Sequence, residues 1–179
     1  SYFTLGLIEK VIVADSIAQI INPAFENYNQ LSTLGAWLCA LGYSYQLYFD
    51  FLGYSDMAVG LGHLFGLRIP QNFNSPYKAV DISDFWRRWH ISLSTCLRDY
   101  LYIPLGGNRC SSFRTKINLM LTMLFGGLWH GASWTFVFWG GYHGALLILT
   151  QYLSGWLERL PIFARRAFTF ILVVIGWVF

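Results

Sequence analysis

Two imidazoles stand where they could do chemistry. His130 lies in GGLWHGAS (126–133), inside a run from Ile117 to Leu149 that contains no Asp, Glu, Lys or Arg, and His90 lies in DFWRRWHISLSTCLRDYLYIPLGGNR (84–109). Desolvation disfavours the charged form of an imidazole, so His130 is expected to be neutral, the form a general base needs near pH 7. A lone histidine among apolar residues is more often a packing residue, but an ionisable group at membrane depth must offset its cost by some use. Around His90, at 100° per residue, Asp84, Arg87, His90, Ser94 and Arg98 share about a third of the circumference of a continuous helix, with Trp86, Trp89, Leu93 and Leu97 opposite. Two guanidiniums, an imidazole and a hydroxyl could receive a phosphorylated or carboxylate-bearing ligand. An interfacial helix with its tryptophan side in lipid would carry the same pattern.

Other candidates read more blandly. Asp56 and His63, seven apart, stack on one helical face and are expected to pair, most simply as an ion pair that orients a bundle. His143, between Tyr142 and Gly144, reads as a structural or supporting residue. Cys39, Cys96 and Cys110 have neither a disulfide pattern nor metal-ligand spacing, so no metal site is expected. No Gly-x-Ser-x-Gly elbow, His-Glu-x-x-His helix or phosphate-binding glycine loop occurs, which leaves hydrolase and nucleotidase readings unsupported.

The elements that must hold these groups are apolar. Hydrophobic residues make up 55% of the chain and charged ones 12%, about half the charged share of a soluble domain. The net charge of +3 is interleaved with tryptophan and aliphatic residues, which argues against nucleic acid and for basic clusters at membrane boundaries. The expected fold is all-α, a polytopic transmembrane helix bundle with interfacial and re-entrant helices. Residues 1–21 read as interfacial or bundle-packed, Leu31–Phe49 as a span, Phe51–Leu67 as a second element with Asp56 and His63 turned to protein or a cavity, and Arg68–Val80 as a loop. Asp81 or Ser83 can cap the next helix, and Pro104, Gly106 and Gly107 can end it. The chargeless run from 117 to 149 is too long for one crossing and too short for two. An interrupted helix or re-entrant turn at Gly126, Gly127 and Gly131 would set His130 within the bilayer; a tilted helix with small-residue packing is the alternative. Arg109, Arg114 and Lys116 before the run, and Arg159, Arg165 and Arg166 after it, would share the cytoplasmic side on a there-and-back path. Ser1 at one end and the apolar Ile171–Phe179 at the other read as cuts through a longer polypeptide.

Three stretches, YFDFLGYSDMAVGLGHLFGLRIPQNFNSPY (48–77), residues 84–109 above and LFGGLWHGASWTFVFWGGYHG (124–144), resemble the membrane-bound O-acyltransferase family, its bacterial polysaccharide-acetylating branch above all. The resemblance implies that residues 1–179 are part of one such domain, truncated at both ends, in a multi-pass protein of the bacterial inner membrane. It implies His130 as the essential catalytic residue and His90 as the second, at a tunnel that takes an acyl donor from the cytoplasm and an acceptor from the opposite face. Joined to the residues, it makes Arg87, Ser94, Arg98, Trp129 and Asp56 the substrate-binding candidates. No cofactor is expected to be bound; acetyl-CoA or another acyl thioester is the donor substrate, lipid surrounds the chain, and an exported polysaccharide or a periplasmic acetyltransferase partner is the acceptor. A transporter or flippase that moves an acyl intermediate unbroken, and a non-catalytic scaffold, are the rival readings.

Overall fold

The computed structural model describes residues 1–178, all of whose regular elements are helices. The chain divides into two compact units, Ser1–Asn72 and the residues from Phe73 onward.

In the first unit, α1 (Tyr2–Leu7) passes through a π-helical stretch (Ile8–Ala14) into α2 (Asp15–Glu26) without leaving the right-handed helical region. This rod packs along α3 (Thr33–Leu64), which opens on a Ser32 cap accepting the Gly35 N–H at 3.1 Å. Lys10 lies 3.1 Å from Asp15 and also pairs with Asp50 of α3, so two of the charges within the apolar pattern of residues 1–21 are paired. Leu31–Phe49 and Phe51–Leu67, expected as separate elements, form a single 32-residue helix. The expected Asp56–His63 pair is absent among the described residues. Seven residues of helix separate their Cα atoms by roughly 10 Å of rise, beyond ion-pair reach, and the His63 ring instead meets the Tyr2 ring edge-on at 5.8 Å.

In the second unit, the loop through Phe73 and the turn Pro76–Lys78 lead to α4 (Ile82–Arg88) and α5 (Ile91–Leu97), then a π-helical turn (Arg98–Tyr102). Asp81 caps α4, its Oδ1 accepting the Asp84 N–H at 2.7 Å, and Gly106 (φ 109°) and Gly107 (φ 50°) turn the chain where the sequence puts a stop. A hairpin of α6 (Ser112–His130) and α7 (Trp134–Leu157) follows, joined by residues 131–133, and α8 (Ile162–Gly176) closes against α7 and α4. The break expected in the chargeless run is thus realised as a helix–turn–helix, with His130 the last residue of α6. Its core is aromatic: Phe85 and His143 are fully buried, with Trp89, Trp139 and Trp177 each at most 8% exposed.

No described helix is long and apolar enough to cross a membrane. α3 has the length but carries Asp50, Asp56 and His63, and α7, free of charge, spends much of its length on Gly, Trp, Tyr, His and Ser. Such residues gain far less from hydrocarbon than the Leu, Ile, Phe and Val of a lipid-facing span.

Candidate active site

A cavity of about 230 Å³ opens between α5, the π-helical turn and the α6–α7 hairpin. α6 lends Leu119, Thr122, Met123, Gly126 and His130 to it, a spacing of 3, 1, 3 and 4 residues that keeps one helical stripe facing inward. α5 and the turn lend Leu93, Ser94, Leu97, Arg98 and Tyr102, α4 lends Trp86, and α7 lends Trp139 and Leu147.

His130 sits at the hairpin tip, exposed on one side and lining the cavity on the other. Ring contacts hold it: Trp139 edge-on at 5.3 Å, Phe136 stacked at 5.9 Å and Trp129 edge-on at 5.1 Å. The expectation of an imidazole sealed from water is therefore met on the cavity side only. Ser94 donates its hydroxyl hydrogen to the Trp89 carbonyl at 3.1 Å, leaving its oxygen lone pairs for a ligand. Arg98 lines the cavity while its guanidinium engages Asp99, Nε at 2.7 Å and an η nitrogen at 3.2 Å.

The other candidates are placed elsewhere. The single helix expected from Asp84 to Arg98 breaks at Trp89 (ψ 128°) and His90, whose φ of 42° is left-handed. The loop provides the reason: the Asn74 N–H donates to the Arg88 carbonyl at 3.0 Å, and Trp89 turns into the aromatic core against Phe73, Phe85 and Trp177. With the helix broken, the two faces drawn from a continuous wheel do not exist, and Trp86, Leu93 and Leu97 wall the same cavity as Ser94 and Arg98. His90 lies outside the lining, and its ring meets the Trp129 ring at 6.2 Å, as the Trp129 ring in turn meets His130. Burial pushes the His90 imidazole down to about 4, the nearby His130 adding to the effect, so it is neutral at pH 7. Trp129 is 63% exposed and bridges the two histidines rather than lining the cavity. Arg87 is turned to Asp84 at 3.6 Å, outside the cavity, and Asp56 belongs to the first unit. Among the described residues, no three His, Cys, Asp or Glu side chains gather as metal ligands.

Tyr102, Thr122 and Trp139 went unnoticed in the sequence. Trp139 had a legible signal, since Trp139, His143, Leu146 and Leu147 recur at i, i+4, i+7 and i+8 and all are buried.

Asp84 anchors this architecture. It lies 3.0 Å from Arg88 Nε and accepts the Val80 N–H at 3.2 Å, while Asp81 reaches Arg165 of α8 at 3.9 Å. Burial alone would raise the Asp84 carboxyl; Arg88, the Val80 N–H and Arg87 together outweigh it and hold it below the usual carboxylate range. A depressed folded pKa gives stability that is present above the unfolded value of about 3.9 and is lost as pH falls through the folded one. Asp84→Asn is accordingly expected to cost about 1.5–3 kcal/mol near pH 7, the worth of hydrogen bonds to a charged group. Thermal melts from pH 7 downward check it: the gap between wild type and variant is to narrow below about pH 4.

Comparison with known proteins identifies the family. A model of the membrane-bound O-acyltransferase family matches residues 4–179. The chain is 54% identical over 179 residues to the "Probable alginate O-acetylase AlgI" of Azotobacter vinelandii, covering 98% of this chain and 35% of that protein. It is 48% identical to the peptidoglycan O-acetyltransferase of Helicobacter pylori (99% of this chain, 34% of that one) and 31% identical to the teichoic acid D-alanyltransferase of Bacillus subtilis (96% and 45%). It thus spans between a third and a half of the length of these relatives. With the family match running through both units, the chain belongs to the membrane-bound O-acyltransferase family.

Proposed function

We propose that this chain carries the acyl-transfer centre of a bacterial membrane O-acyltransferase, moving an acetyl group from a cytoplasmic thioester towards hydroxyls of an exported polysaccharide, directly or through a partner protein. The observation that carries the reading is His130 on the wall of an apolar cavity that Ser94 and Arg98 also line. At about 230 Å³ the cavity is below the 300–1,000 Å³ of drug-sized ligand sites, room for the acyl end of a donor and not for the donor entire. The relatives named for O-acetylation of alginate and peptidoglycan support acetyl as the group and a glycan as its destination.

In this reading neutral His130 takes the proton of the acceptor hydroxyl as its oxygen attacks the thioester carbonyl, and the thiolate leaves as the tetrahedral intermediate collapses. Arg98 faces the developing oxyanion, a role for which Arg87 is misplaced. His90 acts through Trp129 on His130. An inner-membrane, multi-pass setting is part of the proposal. It is supported by the apolar residues left exposed, Phe113, Trp134 and Phe163 each above 70%, an outer surface suited to lipid or to further helices.

The test is reconstitution of the intact protein in vesicles with an acyl-labelled thioester and a hydroxyl acceptor. Thioester cleavage with label appearing on the acceptor, dependent on His130, is the expected outcome. Label crossing the membrane with the thioester intact would refute the enzyme and establish the carrier.

A further inference from the structure

His143 has no assigned task and an unusual setting. Its ring is fully buried, and neither nitrogen has a hydrogen-bond partner among the described residues. Leaving a buried polar group unpaired costs about 1–3 kcal/mol, a cost that a leucine of similar bulk would avoid, so packing alone does not favour histidine here. The ring is edge-on to Trp139 at 5.0 Å and to Trp86 at 5.1 Å, and lies nearly parallel to Phe85 at 6.4 Å. On α8 the ring packs against Gly176, where a Cβ would come within 2.8 Å of Nε2. Trp86 and Trp139 are both cavity walls, and Trp139 is the indole whose contact orients His130 at 5.3 Å.

We propose that His143 is a positioning residue: packed against Trp139 and Trp86, its flat ring fixes the Trp139 indole that contacts His130 and the Trp86 indole beside it on the cavity wall. Trp139 is bracketed by two imidazoles, one facing the reactants and one locked in the core. The imidazole completes a cluster in which Trp86 and Trp139 also meet each other edge-on at 5.6 Å, and edge-to-face aromatic pairs are directional where an aliphatic side chain is not. The proposal rests on the acyl-transfer reading for its kinetic consequence, though not for its structural one.

His143→Leu in the intact enzyme is expected to lower kcat about 10- to 100-fold, the scale of a misplacement near 1 Å, with KM unchanged within about two-fold. If His143 acts through Trp139, the double variant His143→Leu/Trp139→Leu is no slower than Trp139→Leu alone. A kcat loss that only follows the fraction of folded protein, or two losses that multiply, overturns the proposal. Should the leucine variant not accumulate, His143→Gln is measured in the same way. A structure of either variant tests the claim without turnover: displaced Trp139 and His130 rings support it, and unmoved rings overturn it. Absence of thioester cleavage by the wild-type protein would instead refute the acyl-transfer reading.

Discussion

Replacing His130 by alanine is expected to lower acyl transfer by about 10²- to 10⁴-fold, the range a well-placed general base supplies, with the protein still folded. The two halves of that expectation come from the same geometry. The imidazole ends α6 at an exposed hairpin tip and is held by Trp129, Phe136 and Trp139, so its removal empties no sealed part of the core. It does remove the only imidazole on the cavity wall among the described residues. The loss is expected in kcat with KM little changed, because a proton is taken only as the transition state forms. His90→Ala is expected to cost less, about tenfold, since His90 does not line the cavity and reaches His130 through the Trp129 ring that contacts both. Steady-state rates with a labelled thioester, read beside thermal melts, check both. Transfer within tenfold of wild type in the His130 variant would remove the general-base role.

How far the sequence revealed this site depended on where tertiary contacts decide. The chargeless run with glycines at its centre announced the α6–α7 break and placed His130 at it, because local backbone preference and hydrophobic length point the same way there. The Asp81 cap and the Gly106–Gly107 stop were legible for a similar reason, each set by hydrogen-bonding or dihedral demands within a few residues. The wheel drawn through residues 84–98 failed because nothing within that segment ends the helix at Trp89; the loop at Asn74 and an aromatic core drawn from four elements do. Met123 was hidden by abundance, since a stretch apolar all round gives no contrast between its inner and outer faces, whereas the spacing of Trp139, His143, Leu146 and Leu147 was there to be read. The Asp56–His63 pairing erred in reach: a shared face two turns apart is not a contact.

The α6–α7 hairpin gives the sharpest test of the fold. Gly127 and Gly140 meet across it: a Cβ on Gly127 would lie 3.4 Å from the Gly140 Cα, and one on Gly140 would lie 3.1 Å from the Met123 carbonyl carbon and 3.2 Å from the Leu124 Cα, nearer still to the Met123 oxygen. These are backbone atoms that no rotamer change can move aside, so Gly140→Ala must push the helices apart. Overpacking of this kind costs about 1–3 kcal/mol, more than the roughly 1 kcal/mol that alanine gains over glycine inside a helix. Two further glycines isolate the cause. At Gly155 a Cβ meets nothing within 4 Å, so Gly155→Ala keeps the propensity gain and is expected to raise the melting temperature. At Gly126 the only contact is the end of the Leu97 side chain at 3.1 Å, which can rotate away, so Gly126→Ala is expected to melt near wild type while adding a methyl to the cavity and slowing transfer. Gly140→Ala is expected to lose both, because Met123, Trp139 and His130 keep their places on the cavity wall only while the two helices stay in contact. Melting temperatures ordered Gly155→Ala, wild type, Gly126→Ala, Gly140→Ala are the expected result, and a Gly140→Ala protein as stable as wild type would mean the helices do not approach at these glycines.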